Sequence, residues 1–168
     1  LKGADNDTEV KARIQQRVAV PVTTTSSAVV AALRGLGVRR VTLLTPYEEW
    51  LTERGAAFLR DHDFEVLSHS FLGITDPLAM VEMPGAAIAE WALPRVEAGS
   101  QAVFISCTCF RGMEAVPQLE AALGIPVITS NQASVWQLLS MVGREPRVPG
   151  LGRLLSSPVP GSKEGFGG

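Results

Sequence analysis

The sequence is short of the side chains that metal sites, disulfide frameworks and nucleic-acid surfaces require. It carries two histidines and two cysteines in 168 residues. Fifteen Lys and Arg stand against seventeen Asp and Glu, a formal charge of −2, which argues against the basic stripe that a phosphate backbone demands. The adjacent pair Arg39-Arg40 reads as a solvated strand end. No apolar run approaches the roughly 20 residues that span a bilayer, and no signal-peptide pattern opens the sequence, so neither a nucleic acid nor a membrane is expected as partner. The two thiols, Cys107 and Cys109, are too close along the chain for an unstrained disulfide, and the absence of a framework points to a reducing cytoplasm. His62 and His69 lie far from both, which leaves a Cys-x-Cys metal site without further ligands. Neither Gly35-Leu-Gly37 nor Gly150-Leu-Gly152 has the strand-before, helix-after setting of a phosphate loop.

What is present is an ordinary globular composition, 46% hydrophobic and 19% charged. Apolar, β-branched runs at residues 18–24, 40–45, 102–107 and 125–130 predict buried parallel strands, and 64–71 alternates as an edge strand does. Helical patterns separate them. Ser26 and Ser27 are read as caps of a helix that Gly37 stops. Pro46 is read as opening a helix through Leu59, and residues 86–96 as a helix weakened by Pro94. Residues 113–123 end at Gly124 and residues 132–141 at Gly143. Strands alternating with such helices mean right-handed crossovers and a parallel α/β sheet.

The sequence also repeats itself. Residues 8–37 lie over 113–142 at a constant offset of 105 (113 − 8): Pro21 meets Pro126, Val22 meets Val127, Thr24 meets Thr129, Ala28 meets Ala133, Val30 meets Val135 and Leu33 meets Leu138. Each copy reads as a helix, then x-Pro-Val-x-Thr, then a second helix. In the second copy a full strand, 102–106, precedes the first helix; in the first copy its equivalent would fall at or before residue 1. A parallel sheet does not omit such a strand without exposing an edge and half a core. The expectation is therefore a chain that begins inside its first domain, with the polar start at residues 3–7 as loop and cap before a helix. Residues 1–37 would be the remnant of that domain, 38–130 a second α/β domain, 131–143 a helix returning towards the first, and 144–168 a Pro/Gly-rich arm and tail. In that arm Leu151, Leu154 and Leu155 offer docking residues, and 161–168 read as a loose tail.

Two side chains stand at the carboxyl ends of strands, where open parallel sheets bind ligands. Cys107 closes the strand 102–107 and turns through Thr108-Cys109-Phe110-Arg111-Gly112 into a helix, whose N-terminus favours an anion. The thiolate is the reactive form of cysteine; a small buried hydrophobe is the other reading of this residue. Cys109 is read as a bystander. Tyr47 follows its strand across Pro46, where its hydroxyl serves either as a donor to a carboxylate or as half-buried packing.

With these residues in view, the run from Thr23 to Val41, then Thr45-Pro-Tyr47, Ser106-Cys107-Thr108 and Pro126-Val-Ile-Thr-Ser-Asn131-Gln-Ala resembles the aspartate/glutamate racemase superfamily. Within it the chain is most similar to the maleate isomerase and arylmalonate decarboxylase branch, including ectoine-utilisation racemase-like proteins, over roughly residues 1–155. The resemblance implies two pseudo-symmetric flavodoxin-like domains with the site in the cleft between them. It implies that Cys107 is the C-terminal-domain cysteine, facing a partner that would lie upstream of Leu1. It implies that Tyr47 binds a substrate carboxylate, that backbone N–H groups near Cys107 and Thr108 complete that anion site, and that no metal or other cofactor takes part. Thr52 stands where many relatives carry Asn, and Pro77 where maleate isomerases tend to carry Asn. Pro77 and Met80 would then make one wall apolar, suited to a carboxylate with a hydrophobic substituent. The implied function is a cofactor-independent isomerase, racemase or decarboxylase of a small carboxylate or dicarboxylate. An amino-acid racemase with two facing cysteines and a non-catalytic carboxylate-binding protein are the alternatives. Association of the chain with itself is left open.

Overall fold

In the computed structural model, which describes residues 4–156, four parallel strands form one sheet: β1 (Arg40–Thr45), β2 (Glu65–Phe71), β3 (Ala102–Ile105) and β4 (Val127–Thr129), in the order β2-β1-β3-β4. Helices α1 (Ala4–Gln15) and α2 (Thr25–Gly35) precede them; α3 (Glu49–Arg60), α4 (Pro77–Glu82), α5 (Gly85–Ala92) and α6 (Gly112–Leu123) connect them, and α7 (Ser130–Met141) follows. The chain is α/β, and the strand order reverses between β1 and β3, as in a doubly wound flavodoxin-like sheet.

Alternation along the strands sorts the core into two layers. Val41, Leu43 and Phe104 face α2, α3 and α7, where Leu33, Leu59, Ala133 and Trp136 close over them. Leu44, Val103 and Ile105 face α5 and α6 and pack on Ile88, Ala92, Val116 and Leu119. Strands β1 and β3 are buried on both sides, whereas β2 is half-buried along most of its length, the edge strand its alternation predicts. The arm after α7 does dock: Leu154 and Leu155 are buried, Gln132 Nε2 donates to the Leu151 carbonyl at 2.6 Å, and the Glu120 carboxylate accepts the N–H of both Val127 and Arg153. The loose tail expected at 161–168 lies outside the described residues.

Several expectations are corrected. Residues 18–24 form no strand. Val18 and Val20 are exposed, their carbonyls accept from Gln15 Nε2, and a strand without a neighbour has no ladder to join. The polar start is not a loop, because α1 already includes residues 4–7. The cap of α2 is Thr24, whose hydroxyl accepts the Ser27 N–H at 3.1 Å, in place of Ser26 or Ser27. Pro46 does not open α3; the Pro46 and Tyr47 carbonyls accept the N–H groups of Ile74 and Gly73, so the helix starts at Glu49. Residues 86–96 hold α5 and then a single 3-10 turn, Leu93–Arg95, where Pro94 interrupts the regular bonds. The short helix α4, capped by Asp76, was not anticipated.

Candidate active site

Strands β1 and β3 are adjacent, with Leu44 paired to Ile105 and the Ser106 N–H extending the ladder to the Leu44 carbonyl at 2.9 Å. Their carboxyl ends flank the switch point, and each releases one of the anticipated side chains. Val103, Ile105 and Cys107 share the face under α5 and α6, so Cys107 is buried, at 7% exposure, while Ser106 turns to the opposite face. Directly after this, the loop 107–111 feeds α6. Gly112 lets that helix begin close over the sheet, since a Cβ there would lie 3.0 Å from Ile105 Cγ2.

The backbone of Cys107 is unusual. Its φ is +139°, a region that L side chains rarely adopt. Such a conformation costs on the order of 1–3 kcal/mol and persists only where surrounding contacts hold it. Two contacts do so from the start of α7: the Cys107 N–H donates to Ser130 Oγ at 3.1 Å, and Asn131 Nδ2 donates to the Thr108 carbonyl at 3.1 Å. The Cys107 amide is therefore engaged with Ser130.

Tyr47 comes to the same place from β1. Its ring packs half-buried against the cluster that contains Cys107, close enough for its hydroxyl to feel Cys107 and Ser106 electrostatically. Burial, followed by the proximity and charge of Cys107, pushes the phenol well above its usual range, with Ser106 opposing. Tyr47 thus stays a protonated donor at neutral pH. The turn that carries it is pinned from two sides. Gly73 and Ile74 donate to the carbonyls of Tyr47 and Pro46 at 2.9 and 2.8 Å. Behind it, the buried hydroxyls of Thr45 and Thr52 lie 2.6 Å apart, and Thr52 also donates to the Glu48 carbonyl at 3.1 Å.

Of the remaining anticipated residues, Met80 is buried in the same cluster as Cys107, beside half-buried Leu72, Ile74 and Met83. Pro77 and Thr108 are exposed, Pro77 as the first residue of α4. Cys109 is a free, exposed thiol. His62 Nδ1 lies 2.8 Å from the Phe58 carbonyl and His69 Nε2 2.9 Å from Glu53, both remote from β3. A cavity of about 50 Å³ lies on the other side of the sheet end, lined by Thr25, Val29, Phe58, Phe104, Ser106 and Ser130; it is smaller than a substrate. Among the described residues no group of three or more His, Cys, Asp or Glu is arranged to hold a metal ion, and no helix is long and apolar enough to cross a membrane. Sequence reasoning missed Ser106, Ser130 and Asn131. They stood in the motifs that carry the resemblance, but without a role: Ser106 precedes Cys107 and the other two open the next helix.

This site can be set beside known proteins. Residues 1–155 match the family model described as arylmalonate decarboxylase. The chain belongs to that family. It is 34% identical to arylmalonate decarboxylase of Bordetella bronchiseptica over 156 residues, covering 91% of this chain and 65% of that protein. It is also 34% identical to a maleate isomerase of Pseudomonas putida, covering 86% of this chain and 60% of the relative. A crystal structure of arylmalonate decarboxylase superposes with a TM-score of 0.84 at 32% identity, over 92% of this chain and 69% of that one. A maleate cis-trans isomerase of Nocardia farcinica, solved with a covalently bound succinylcysteine intermediate, superposes with a TM-score of 0.86 at 25% identity, over 92% of this chain and 65% of that one. The chain thus spans about two-thirds of the length of these family members.

Proposed function

We propose that this chain carries the cysteine-bearing part of a cofactor-independent enzyme that acts on the carbon beside a carboxylate, as a decarboxylase, isomerase or racemase. The observation that carries the reading is the meeting of Tyr47 and Cys107 at the carboxyl ends of adjacent strands across the switch point. In the decarboxylation form, the carbon–carbon bond to one carboxylate breaks, CO₂ leaves, and the electron pair spreads into the remaining carboxylate. The Tyr47 O–H stabilises the charge on its oxygens. The Cys107 S–H then delivers its proton to the carbon, and the thiolate recovers one from water. In the isomerisation form, the same sulfur adds to a double bond and leaves after rotation. The apolar surroundings of Cys107, with Met80, Leu72 and Ile74 nearby, favour a malonate-type acid with a hydrophobic substituent over a small fully polar diacid. Two free thiols support a reducing compartment such as the cytoplasm.

The domain organisation belongs to the same reading. In α2, Val30 and Leu33 are buried against this sheet; their repeat equivalents in α7, Val135 and Leu138, are exposed at 42% and 54%. Helices α2 and α7 pack side by side. A pseudo-symmetric α/β unit, to which α1 and α2 belong, would cover α7 as this sheet covers α2 and would complete the cleft over Cys107.

The test is product analysis with the full chain. An arylmalonate should release CO₂ and maleate should turn over more slowly, and Cys107→Ser should abolish both. Undiminished turnover by Cys107→Ser would remove the reading; preference for maleate would move it to the isomerase form.

A further inference from the structure

We infer that Ser130 and Asn131, at the start of α7, are positioning residues for Cys107, a clamp that holds the two peptide groups flanking the Cys107–Thr108 peptide. The inference rests on the reading of Cys107 as the group that acts on substrate. Its basis is geometric. Cys107 sits at φ +139°, where an L residue relaxes unless it is held. The Cys107 N–H reaches Ser130 Oγ at 3.1 Å in a buried bond, and two peptide groups further on the Thr108 carbonyl accepts from Asn131 Nδ2 at 3.1 Å.

Neither side chain is occupied in capping its own helix. Thr129 is the cap, since its hydroxyl accepts the Gln132 N–H at 3.2 Å while Gln132 Oε1 accepts the Thr129 N–H at 3.0 Å, a closed capping box. A serine just inside a helix usually spends its hydroxyl on the backbone of that helix. Here Ser130 faces β3, at 3% exposure, and accepts from the strand-end amide. Because β3 and β4 are paired in register, Ile105 with Thr129, the start of α7 is a rigid support at the level where the Cys107 turn begins. Removing the Ser130 hydroxyl leaves a buried N–H without its acceptor and frees φ at Cys107 to relax. The Sγ would then leave its alignment with Tyr47, while the carboxylate donors stay where they are. The loss should appear in turnover and spare binding.

The experiment compares Ser130→Ala, Ser130→Thr and Asn131→Asp with the unaltered full chain, by steady-state kinetics on an arylmalonate and by hydrogen exchange at the assigned Cys107 amide. Ser130→Ala should lower kcat by on the order of 10- to 100-fold, as misplacement of a reacting group does, with KM within about twofold. It should also speed exchange at Cys107. Ser130→Thr keeps a hydroxyl and should restore both. Asn131→Asp keeps its shape and a helix-compatible charge but loses the donor to Thr108, and should lower kcat in the same sense. Unchanged kcat and unchanged Cys107 exchange in Ser130→Ala would overturn the clamp, as would a raised KM at constant kcat. If the unaltered protein turns over no carboxylate, the proposed reaction falls. The Cys107 exchange rates then decide the clamp alone: protection that survives Ser130→Ala refutes it, and protection lost in Ala and kept in Thr supports it.

Discussion

A methyl group at position 85 should loosen the fold close to the reactive loop. Gly85 opens α5 and is buried against α6. A Cβ built there would lie 2.4 Å from Glu114 Cβ, 2.9 Å from the Glu114 carbonyl carbon and 3.1 Å from the Ala115 nitrogen. Carbon atoms in contact sit about 3.5–4.0 Å apart, so the two helices must separate by roughly an ångström. Two of the three atoms in the way belong to the α6 backbone, and no rotamer change relieves them. Overpacking of this kind costs about 1–3 kcal/mol. The intrinsic preference of a helix for Ala over Gly returns at most about 1 kcal/mol, and less at a helix's first residue. With a return of under about 0.5 kcal/mol at this first helical position, the net loss is about 0.5–3 kcal/mol. For a chain of this size each kcal/mol corresponds to about 2–4 °C, so Gly85→Ala should lower Tm by roughly 1–12 °C in thermal unfolding followed by far-UV circular dichroism. Turnover should fall too, because α6 begins five residues after Cys107 (112 − 107) and carries the loop end with it. An unchanged Tm would mean that α5 and α6 are not packed as closely as described, and the seating of the reactive loop on α6 would need revision.

Tyr47→Phe keeps the ring and removes one donor to the developing charge; turnover should drop on the order of 10²-fold, and parity with the unaltered protein would exclude the hydroxyl from the chemistry. Tyr47 is the only tyrosine of the sequence, so ultraviolet titration near 295 nm reports it alone. Half-ionisation should come above the ordinary value of about 10. The sign follows: the folded phenol holds its proton where the unfolded one has lost it, so the stabilisation is complete below pH ~10 and declines as pH rises further. Ionisation at the ordinary value would contradict the burial of the hydroxyl beside Cys107. Burial raises the carboxyl of Asp7, but hydrogen bonds from Ser27, Thr24 and Lys11 outweigh it and hold the group below its usual value. Asp7 accepts from Ser27 of α2 and pairs with Lys11, which itself donates to Ser27, so Asp7→Asn should speed amide exchange in α1, and acidification below about pH 4 should do the same in the unaltered protein.

The strands of the sheet were legible because residues buried on both faces are mostly apolar, as Val41, Leu43, Leu44 and Ala102 to Ile105 are, with Thr42 hydrogen-bonded among them. The same pattern misled at residues 18–24, since strand formation there depends on a neighbour that a local pattern does not reveal. Cys107 and Tyr47 were legible as strand-terminal residues with reactive or donating side chains. Ser106, Ser130 and Asn131 were not, because their roles follow from the φ of Cys107 and from the meeting of β3 with the start of α7, and hydroxyl and amide residues are common at such turns for local reasons. Pro77 was drawn into the site by the family resemblance, as standing where maleate isomerases tend to carry Asn; as the first residue of α4 it is exposed, while Met80 turns in.

Labelling with bromoacetate tests most directly whether Tyr47 and Cys107 form one carboxylate site. The reagent brings its own carboxylate, and attack by sulfur expels bromide and leaves a carboxymethyl group that peptide mass mapping locates. Exposure alone favours Cys109, since Cys107 is 7% exposed. A shared site predicts the opposite order: Cys107 is modified first near neutral pH, more slowly in Tyr47→Phe, and with Cys109 unaffected by that substitution. Modification of Cys109 first, or a Cys107 rate indifferent to the loss of the Tyr47 hydroxyl, would contradict it.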